Sequence, residues 1–266
     1  MTYAESVFTG TAAFYARYRP PYPQELIKHL VAHYGLDGSG RMLDLGCGPG
    51  TLTFPLAPHM RSIVAIDVEP SMIEEAQKIQ QSFDDLRQRN IQWRVMSAEG
   101  ISHDLGSFRL VTCGSSFHWM SRDLVLKRIR DLLEPDGGVA LVGGISAWQD
   151  GPEDWHQVVT DVLRRYLGDR RRVGNFWGEP TERFEQALER NGWTVELARD
   201  YPRALEWDVE SVLGHLWSTS FANRLLFGDK ADEFESELRA ELLQLNPGGV
   251  FKETAGFGLV CGRPPA

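Results

Sequence analysis

The sequence predicts an α/β fold: a mostly parallel sheet of seven strands with helices on both faces. Along the 266 residues, seven short apolar runs alternate with stretches that repeat apolar side chains at helical spacing. Such alternation is typical of a parallel sheet whose strands are joined by helices. Hydrophobic residues make up 42% of the chain and charged residues 24%, which excludes a disordered chain and a coiled coil.

The net charge and the cysteine spacing indicate which binding partners and which cellular compartment to expect. Because 37 acidic residues outnumber 28 basic ones, the formal net charge is -9, and nucleic acid is not an expected partner. The spacing of Cys47, Cys113 and Cys261 fits neither a metal site nor a disulfide framework, which predicts a reducing, cytoplasmic compartment and no metal. The sequence shows no secretory signal and no apolar run long enough to span a bilayer, so we expect no membrane partner.

Each predicted element is a run of suitable apolar spacing that ends at glycine, proline or another turn residue. Helices are predicted over 23–34, 51–60, 124–133, 155–166, 181–190, 207–218 and 231–245. A further helix is predicted to begin at Ser71, in a capping box with Glu74, and to carry Phe83 on its apolar stripe. Strands are predicted over 41–45, 62–66, 91–96, 108–113, 139–142, 193–199 and 250–261.

The alternation breaks after the fifth and after the sixth strand. Segments 145–178 and 205–248 are predicted to be helical insertions that form a cap within a single domain of residues 1–266. Ligands of open α/β sheets bind at the carboxyl ends of the strands, so insertions at that edge suit a cap. Both insertions are rich in aromatic residues. These rings either line a pocket for a flat or hydrophobic ligand or form the core of the cap itself.

A glycine-rich turn, Gly46-Cys47-Gly48-Pro49-Gly50, follows the first predicted strand and opens a helix. Glycine is needed where the backbone turns tightly or where a ligand approaches main-chain atoms closely. Asp67 ends the second strand about twenty residues later, a position that suits a carboxylate accepting the ribose hydroxyls of a nucleoside. A dinucleotide fold has glycine or alanine at the sixth position of such a turn, but here that position is Thr51, and Pro49 lies inside the turn. The chain also has no Gly-Lys dipeptide of a P-loop.

Residues 43–50 resemble the first motif of the class I S-adenosylmethionine-dependent methyltransferases, whose fold is Rossmann-like. Asp67 is similar to the acidic ribose-binding position of that family, and residues 97–99 resemble its adenine loop. Residues 116–119 and 15–23 resemble segments of the small-molecule branch, to which trans-aconitate methyltransferase and many natural-product methyltransferases belong. The resemblance implies S-adenosylmethionine as the cofactor and a small molecule as the substrate.

The resemblance also implies which residues hold the cofactor. The backbone of Gly46, Cys47 and Gly48 would face the methionine portion, and Asp67 would accept the ribose hydroxyls. The other implied contacts are Tyr15 and Arg19 in an N-terminal lid of residues 1–22, Val68 and Met72 around the adenine, Ser97, Ala98 and Glu99 at the adenine edge, and Gly114 and Ser115 beside the sulfonium. Tyr15 and Arg19 could equally serve only in the packing of an N-terminal arm.

Methyl transfer from a sulfonium is an in-line displacement, so alignment supplies much of the rate. His118 is the candidate general base if the acceptor must lose a proton, although it could equally serve in local packing. The candidate pocket residues are Phe117, Trp119, Trp148, Phe176, Trp177 and Trp217.

We expect transfer to oxygen of a small, fairly apolar acceptor in secondary metabolism. Transfer to carbon or nitrogen and a cofactor-binding protein without activity are the alternatives. A monomer and a homodimer are both compatible with the sequence.

Overall fold

The computed structural model describes residues 7–144, 151–168, 172–173, 176–177 and 182–265. The chain forms two compact units, each assembled from separate segments. The unit that we call the sheet unit comprises residues 21–144, 180–201 and 256–266. The unit that we call the insertion unit comprises residues 1–20, 145–179 and 202–255.

Seven strands form one sheet, which confirms the predicted fold class. They are β1 (Arg41–Leu45), β2 (Ser62–Asp67), β3 (Ile91–Val95), β4 (Phe108–Gly114), β5 (Leu133–Gly143), β8 (Thr194–Asp208) and β9 (Val250–Arg263). Their order is β3-β2-β1-β4-β5-β9-β8. Neighbours from β3 to β5 are parallel, and β9 is antiparallel to β5. Because the strand order reverses between β1 and β4, the crevice at their carboxyl ends is the topological switch point where α/β folds bind ligands.

Helices connect and flank the strands. The sheet unit contains α2 (Gln24–Tyr34), α3 (Thr53–Leu56), α4 (Pro70–Ser82), α5 (Asp84–Arg87), α6 (Arg122–Leu132) and α8 (Phe184–Arg190). The insertion unit contains α1 (Ala12–Tyr18), α7 (Asp154–Leu167), α9 (Val209–Trp217), α10 (Ala231–Leu245) and the paired two-residue strands β6 (Arg172–Val173) and β7 (Phe176–Trp177). None of the helices in the described parts of the chain has the length and apolarity that crossing a membrane requires.

The start and end of α4 differ from the prediction, which is wrong at both points. Glu69, not Ser71, precedes the helix, and its carboxylate accepts hydrogen bonds from the backbone and the hydroxyl of Ser71. Pro70 occupies the first helical position, where its fixed φ and missing N–H are tolerated. The helix ends at Ser82, so Phe83 is 56% exposed instead of packing on the apolar stripe.

Other predicted helices are also shorter in the structure, among them the one predicted over 181–190, which begins at Phe184. The helix predicted over 51–60 is reduced to α3 and a 3-10 turn, Ala57–His59, because Pro58 has no N–H to continue an α-helical ladder. The helix predicted from Trp207 begins at Val209, because the Asp208 carboxylate accepts from the Ser211 amide at 2.7 Å and caps the first turn. Trp207 therefore belongs to β8.

Large aromatic side chains form the core of the insertion unit. Trp155, Trp207, Trp217 and Phe221 are all buried there among aliphatic side chains of α7, α9 and α10. Two of the buried indole N–H groups have acceptors in this unit: Trp207 donates to Glu253 Oε1 at 2.7 Å, and Trp155 donates to the Lys252 carbonyl at 3.2 Å. For these four rings, the interpretation as the unit's own core fits better than the interpretation as pocket lining.

The packing of β5 against α2 and β9 gives a test of the sheet unit. A Cβ at Gly138 would lie 2.5 Å from the Tyr34 ring and 2.8 Å from the Gly262 carbonyl oxygen. We expect Gly138→Ala to lower the free energy of unfolding by about 1–3 kcal/mol, because the backbone of β9 must move. Urea unfolding followed by circular dichroism measures this loss.

The matched control is Gly256→Ala, since a Cβ at Gly256 has no atom within 4 Å. We expect its free energy of unfolding to stay within about 0.5 kcal/mol of the native value. Equal stability of the two variants would contradict the packing described for Gly138.

Candidate functional site

The turn between β1 and α3 depends on glycine at three positions. Gly46, Gly48 and Gly50 have φ values of 63°, 54° and 91°, in the region that residues with a Cβ rarely adopt. At Gly46 space is also limiting, because a Cβ there would lie 2.6 Å from the Ser116 Cβ. The Cys47 amide donates to the Ile66 carbonyl at 2.9 Å and ties the turn to β2. We call residues 46–50 the cofactor loop.

Asp67 faces this loop, as the sequence predicts. Its Oδ2 accepts from the Gly48 amide at 2.8 Å, and its Oδ1 accepts from the Glu69 amide at 2.9 Å. Burial raises the pKa of Asp67, and the two amide hydrogen bonds act in the opposite direction. Each carboxylate oxygen has a second lone pair, so Asp67 keeps the capacity to accept hydrogen bonds from a ligand.

Asp44 is a buried carboxylate whose role the sequence analysis missed. Its Oδ2 accepts from the Thr53 hydroxyl at 2.5 Å, and its Oδ1 accepts from the Thr112 hydroxyl at 2.7 Å. Burial raises the pKa of Asp44 to about 6, against the effect of the two hydroxyls, and the nearby Asp67 raises it further. Asp44 thus joins β1 to α3 and to β4. The sequence feature that could have identified Asp44 is an acidic residue between the apolar residues Leu43 and Leu45 of β1.

The carboxyl end of β4 lies against the cofactor loop. Ser116 Oγ donates to the Leu45 carbonyl at 2.6 Å, which joins the end of β4 to the end of β1. Ser115, next to it, has a left-handed φ of 52°. The Ser115 hydroxyl lies 3.3 Å from the phenol oxygen of Tyr22, a residue that the sequence analysis did not single out.

The residues expected around the adenine differ in burial, and one of them also bonds to the backbone. Met72 and Ala98 are buried, whereas Val68 and Ser97 are half-buried. The Glu99 carboxylate accepts from the Ser121 amide at 2.8 Å, immediately before α6. One oxygen of Glu99 is therefore occupied by a backbone group.

Tyr15 and Arg19 belong to the insertion unit, whereas the cofactor loop belongs to the sheet unit. Within its own unit Arg19 donates to the Ser218 hydroxyl at 2.8 Å and to the Ser218 carbonyl at 3.3 Å. The Arg19 guanidinium also lies 4.8 Å from the centre of the Tyr15 ring. These contacts fix Arg19 and Tyr15 relative to α9.

His118 lies in a 3-10 turn, Phe117–Trp119, directly after the end of β4. Its ring centre is 4.9 Å from that of Trp119, and both residues are half-buried. Phe117 is 0% exposed and packs against Phe184 in the core of the sheet unit. Its burial favours a core role over the substrate contact that the sequence analysis expected.

The other candidate pocket residues lie in or beside the insertions. Trp217 is 3% exposed, and its ring packs against Phe227 and Phe234, which again favours a core role. Trp148 lies outside the described residues, and so do the side chains of Phe176 and Trp177. Among the described residues, no group of three or more histidine, cysteine or acidic side chains could hold a metal ion.

Comparison with known proteins adds evidence from sequence. Residues 42–137 match the family model of a methyltransferase domain. An uncharacterized methyltransferase of Schizosaccharomyces pombe is 28% identical over 95% of this chain and 93% of its own length. Aklanonic acid methyltransferase DauC of a Streptomyces species is 30% identical over 62% of this chain and 72% of its own length.

A solved structure shows the same fold. The S-adenosylmethionine-dependent methyltransferase of Thiobacillus denitrificans, in complex with S-adenosyl-L-homocysteine, superposes with a TM-score of 0.53 at 17% identity. The match covers 95% of this chain and 96% of that structure. Together with the sequence matches, the switch-point crevice and its glycine loop lead to one conclusion: the chain belongs to the class I S-adenosylmethionine-dependent methyltransferases.

Proposed function

We propose that the protein transfers a methyl group from S-adenosylmethionine to an oxygen atom of a small, fairly apolar acceptor. The observation that carries the proposal is the arrangement of the cofactor loop, Asp67 and the end of β4 around one crevice. When bound, the cofactor supplies a methyl group on a positively charged sulfur. The residues of the chain bind it, align it with the acceptor and move a proton where the acceptor requires it.

The residues present fit the cofactor. Gly46 and Gly48 leave main-chain atoms open to close approach, and Asp67 retains lone pairs for two ribose hydroxyls. Asp67 and the neighbouring Asp44 place negative charge beside the loop, which suits a cationic ligand. The remaining proposed contacts are those from Val68 and Met72, from residues 97–99, from Gly114 and Ser115, and from Tyr15 and Arg19.

Separate observations support a small-molecule acceptor and a cytoplasmic compartment. The printed name of the Streptomyces relative gives a small acid, aklanonic acid, as the compound on which that protein acts. The net charge of -9 disfavours an anionic polymer as acceptor. The free, buried thiols of Cys47, Cys113 and Cys261 support the cytoplasm as the compartment.

His118 is the proposed general base for an acceptor hydroxyl. It follows the end of β4 within four residues, and a neutral imidazole can take a proton near neutral pH. Transfer to carbon remains the second candidate, because a carbon nucleophile such as an alkene needs no prior loss of a proton.

The experiment that tests the proposed function is incubation of the purified protein with methyl-labelled S-adenosylmethionine and a small-molecule extract. We expect a labelled product of low mass whose methyl group is bound to oxygen by mass spectrometry and NMR. A C-methyl product would support the second candidate. Binding of S-adenosylhomocysteine without any labelled product would indicate a cofactor-binding protein without methyltransferase activity.

Asp67→Asn tests the cofactor contacts. Because the amide nitrogen would meet the N–H of Gly48 or Glu69, and because one ribose acceptor is lost, we expect at least about tenfold weaker binding of S-adenosylhomocysteine. Isothermal titration calorimetry measures the dissociation constant.

The matched control is Glu75→Gln on α4, an acid that pairs with the exposed Lys78 at 3.2 Å. Its affinity for S-adenosylhomocysteine should equal that of the native protein. An Asp67→Asn protein that binds as tightly as this control would remove Asp67 from the site.

His118→Ala tests the proposed base on the acceptor found by labelling. We expect kcat to fall about a hundredfold, because the hydroxyl would lose its proton acceptor, while binding of S-adenosylhomocysteine stays unchanged. Steady-state kinetics and calorimetry provide the two numbers. An unchanged kcat would exclude His118 as the base and favour an acceptor atom that needs none.

A further inference from the structure

Two side-chain hydroxyls stand at the carboxyl end of β4. The phenol oxygen of Tyr22 lies 3.3 Å from Ser115 Oγ, and both residues are half-buried. The Tyr22 ring stands edge-on to Phe257, with ring centres 5.9 Å apart. The ring contact positions the phenol, so its oxygen has a defined place beside Ser115.

The backbone around this hydroxyl pair has no room for further side chains. A Cβ at Gly114 would lie 2.9 Å from the Tyr22 oxygen, and a Cβ at Gly144 would lie 2.7 Å from Ser115 Oγ. Ser115 is also the only non-glycine residue in the described ranges with a positive φ. Backbone strain of this kind persists where the surrounding structure imposes it, and it is concentrated at functional sites.

The hydroxyl pair also borders the cofactor loop. Ser116, the next residue, donates a hydrogen bond to the Leu45 carbonyl. Its side chain lies so close to Gly46 that a Cβ at Gly46 would be 2.6 Å from the Ser116 Cβ. Ser115 is therefore the residue before the one that joins the end of β4 to the end of β1, and the Tyr22 hydroxyl lies beside Ser115. They lie on the edge of the sheet where the strand order reverses, which is where α/β enzymes place their substrates.

We propose that the hydroxyls of Tyr22 and Ser115 form a subsite for a carboxylate group of the methyl acceptor. Each hydroxyl can donate one hydrogen, and two donors at this separation can bind the two oxygens of one carboxylate. Hydrogen bonds to an ionised acceptor are stronger than those to a neutral one. The pair therefore selects an acid over an alcohol of the same shape, and it orients the rest of the acceptor. The inference rests on the proposed function and narrows its substrate class.

The test compares 2-naphthoate with 2-naphthylmethanol as probes. Both are titrated into the native protein saturated with S-adenosylhomocysteine, and binding is measured by ligand-observed NMR. We expect naphthoate to bind at least about fivefold more tightly than the alcohol. If naphthoate shows no such advantage, or does not bind, the proposal is wrong.

The variants Tyr22→Phe and Ser115→Ala then assign the preference to the hydroxyls. Each should weaken naphthoate binding about tenfold and leave the affinity for the alcohol within about twofold. Tyr22→Phe, at a residue outside the proposed cofactor contacts, should also leave the affinity for S-adenosylhomocysteine within about twofold. Ser115→Gly, which relieves the positive φ, should weaken naphthoate binding as Ser115→Ala does. The control Tyr201→Phe removes a phenol that contacts His29 at 2.9 Å and should change none of these affinities.

Two results in the variants would overturn the subsite. One is a preference for naphthoate that survives loss of either hydroxyl. The other, in Tyr22→Phe, is weaker binding of S-adenosylhomocysteine with unchanged binding of naphthoate, which would assign the pair to the cofactor. Failure of the proposed function looks different: no labelled methyl product would form, although the hydroxyl-dependent preference for naphthoate would persist.

Discussion

Two carboxylates fix the cofactor loop and the elements that flank it, and the rest of the site depends on them. Asp44, at the end of β1 before the loop, accepts from threonine hydroxyls of α3 and β4, and Asp67 fixes the middle of the loop through the Gly48 amide. Burying two acids so close together costs free energy, which is visible in the raised pKa of both. The hydroxyl and amide donors offset part of this cost. The result is a loop of fixed shape with two acids beside it, suited to the sulfonium cofactor of the family.

The features that the sequence locates without knowledge of the packing are local. Strand β1, the glycine turn and Asp67 follow one another within about thirty residues, and glycine spacing and apolar period identify them without knowledge of the packing. The hydroxyl pair of Tyr22 and Ser115 joins positions far apart in the chain. The same is true of Asp44 and Thr112, which become partners through the register of β1 with β4. A single sequence contains no signal for such long-range pairs.

The aromatic residues of the insertions show a second limit of sequence analysis. Aromatic residues that line a pocket and aromatic residues that fill a core can have the same spacing along the sequence. The structure separates them by burial, because Trp207 and Trp155 are enclosed and their indole N–H groups have acceptors within their own unit. Burial of a ring is thus a property of the packing, which the spacing of aromatic residues along a sequence does not contain.

The position of β9 in the sheet has a consequence for folding during synthesis. Among the described strands this one comes last in the sequence, yet it lies between β5 and β8. Until it emerges from the ribosome, β8 has no hydrogen-bonding neighbour and β5 presents an open edge. Such an edge is a site of mispairing between nascent chains. The sheet is closed only by pairing residues separated by more than a hundred positions, which is expected to make its final folding step slow.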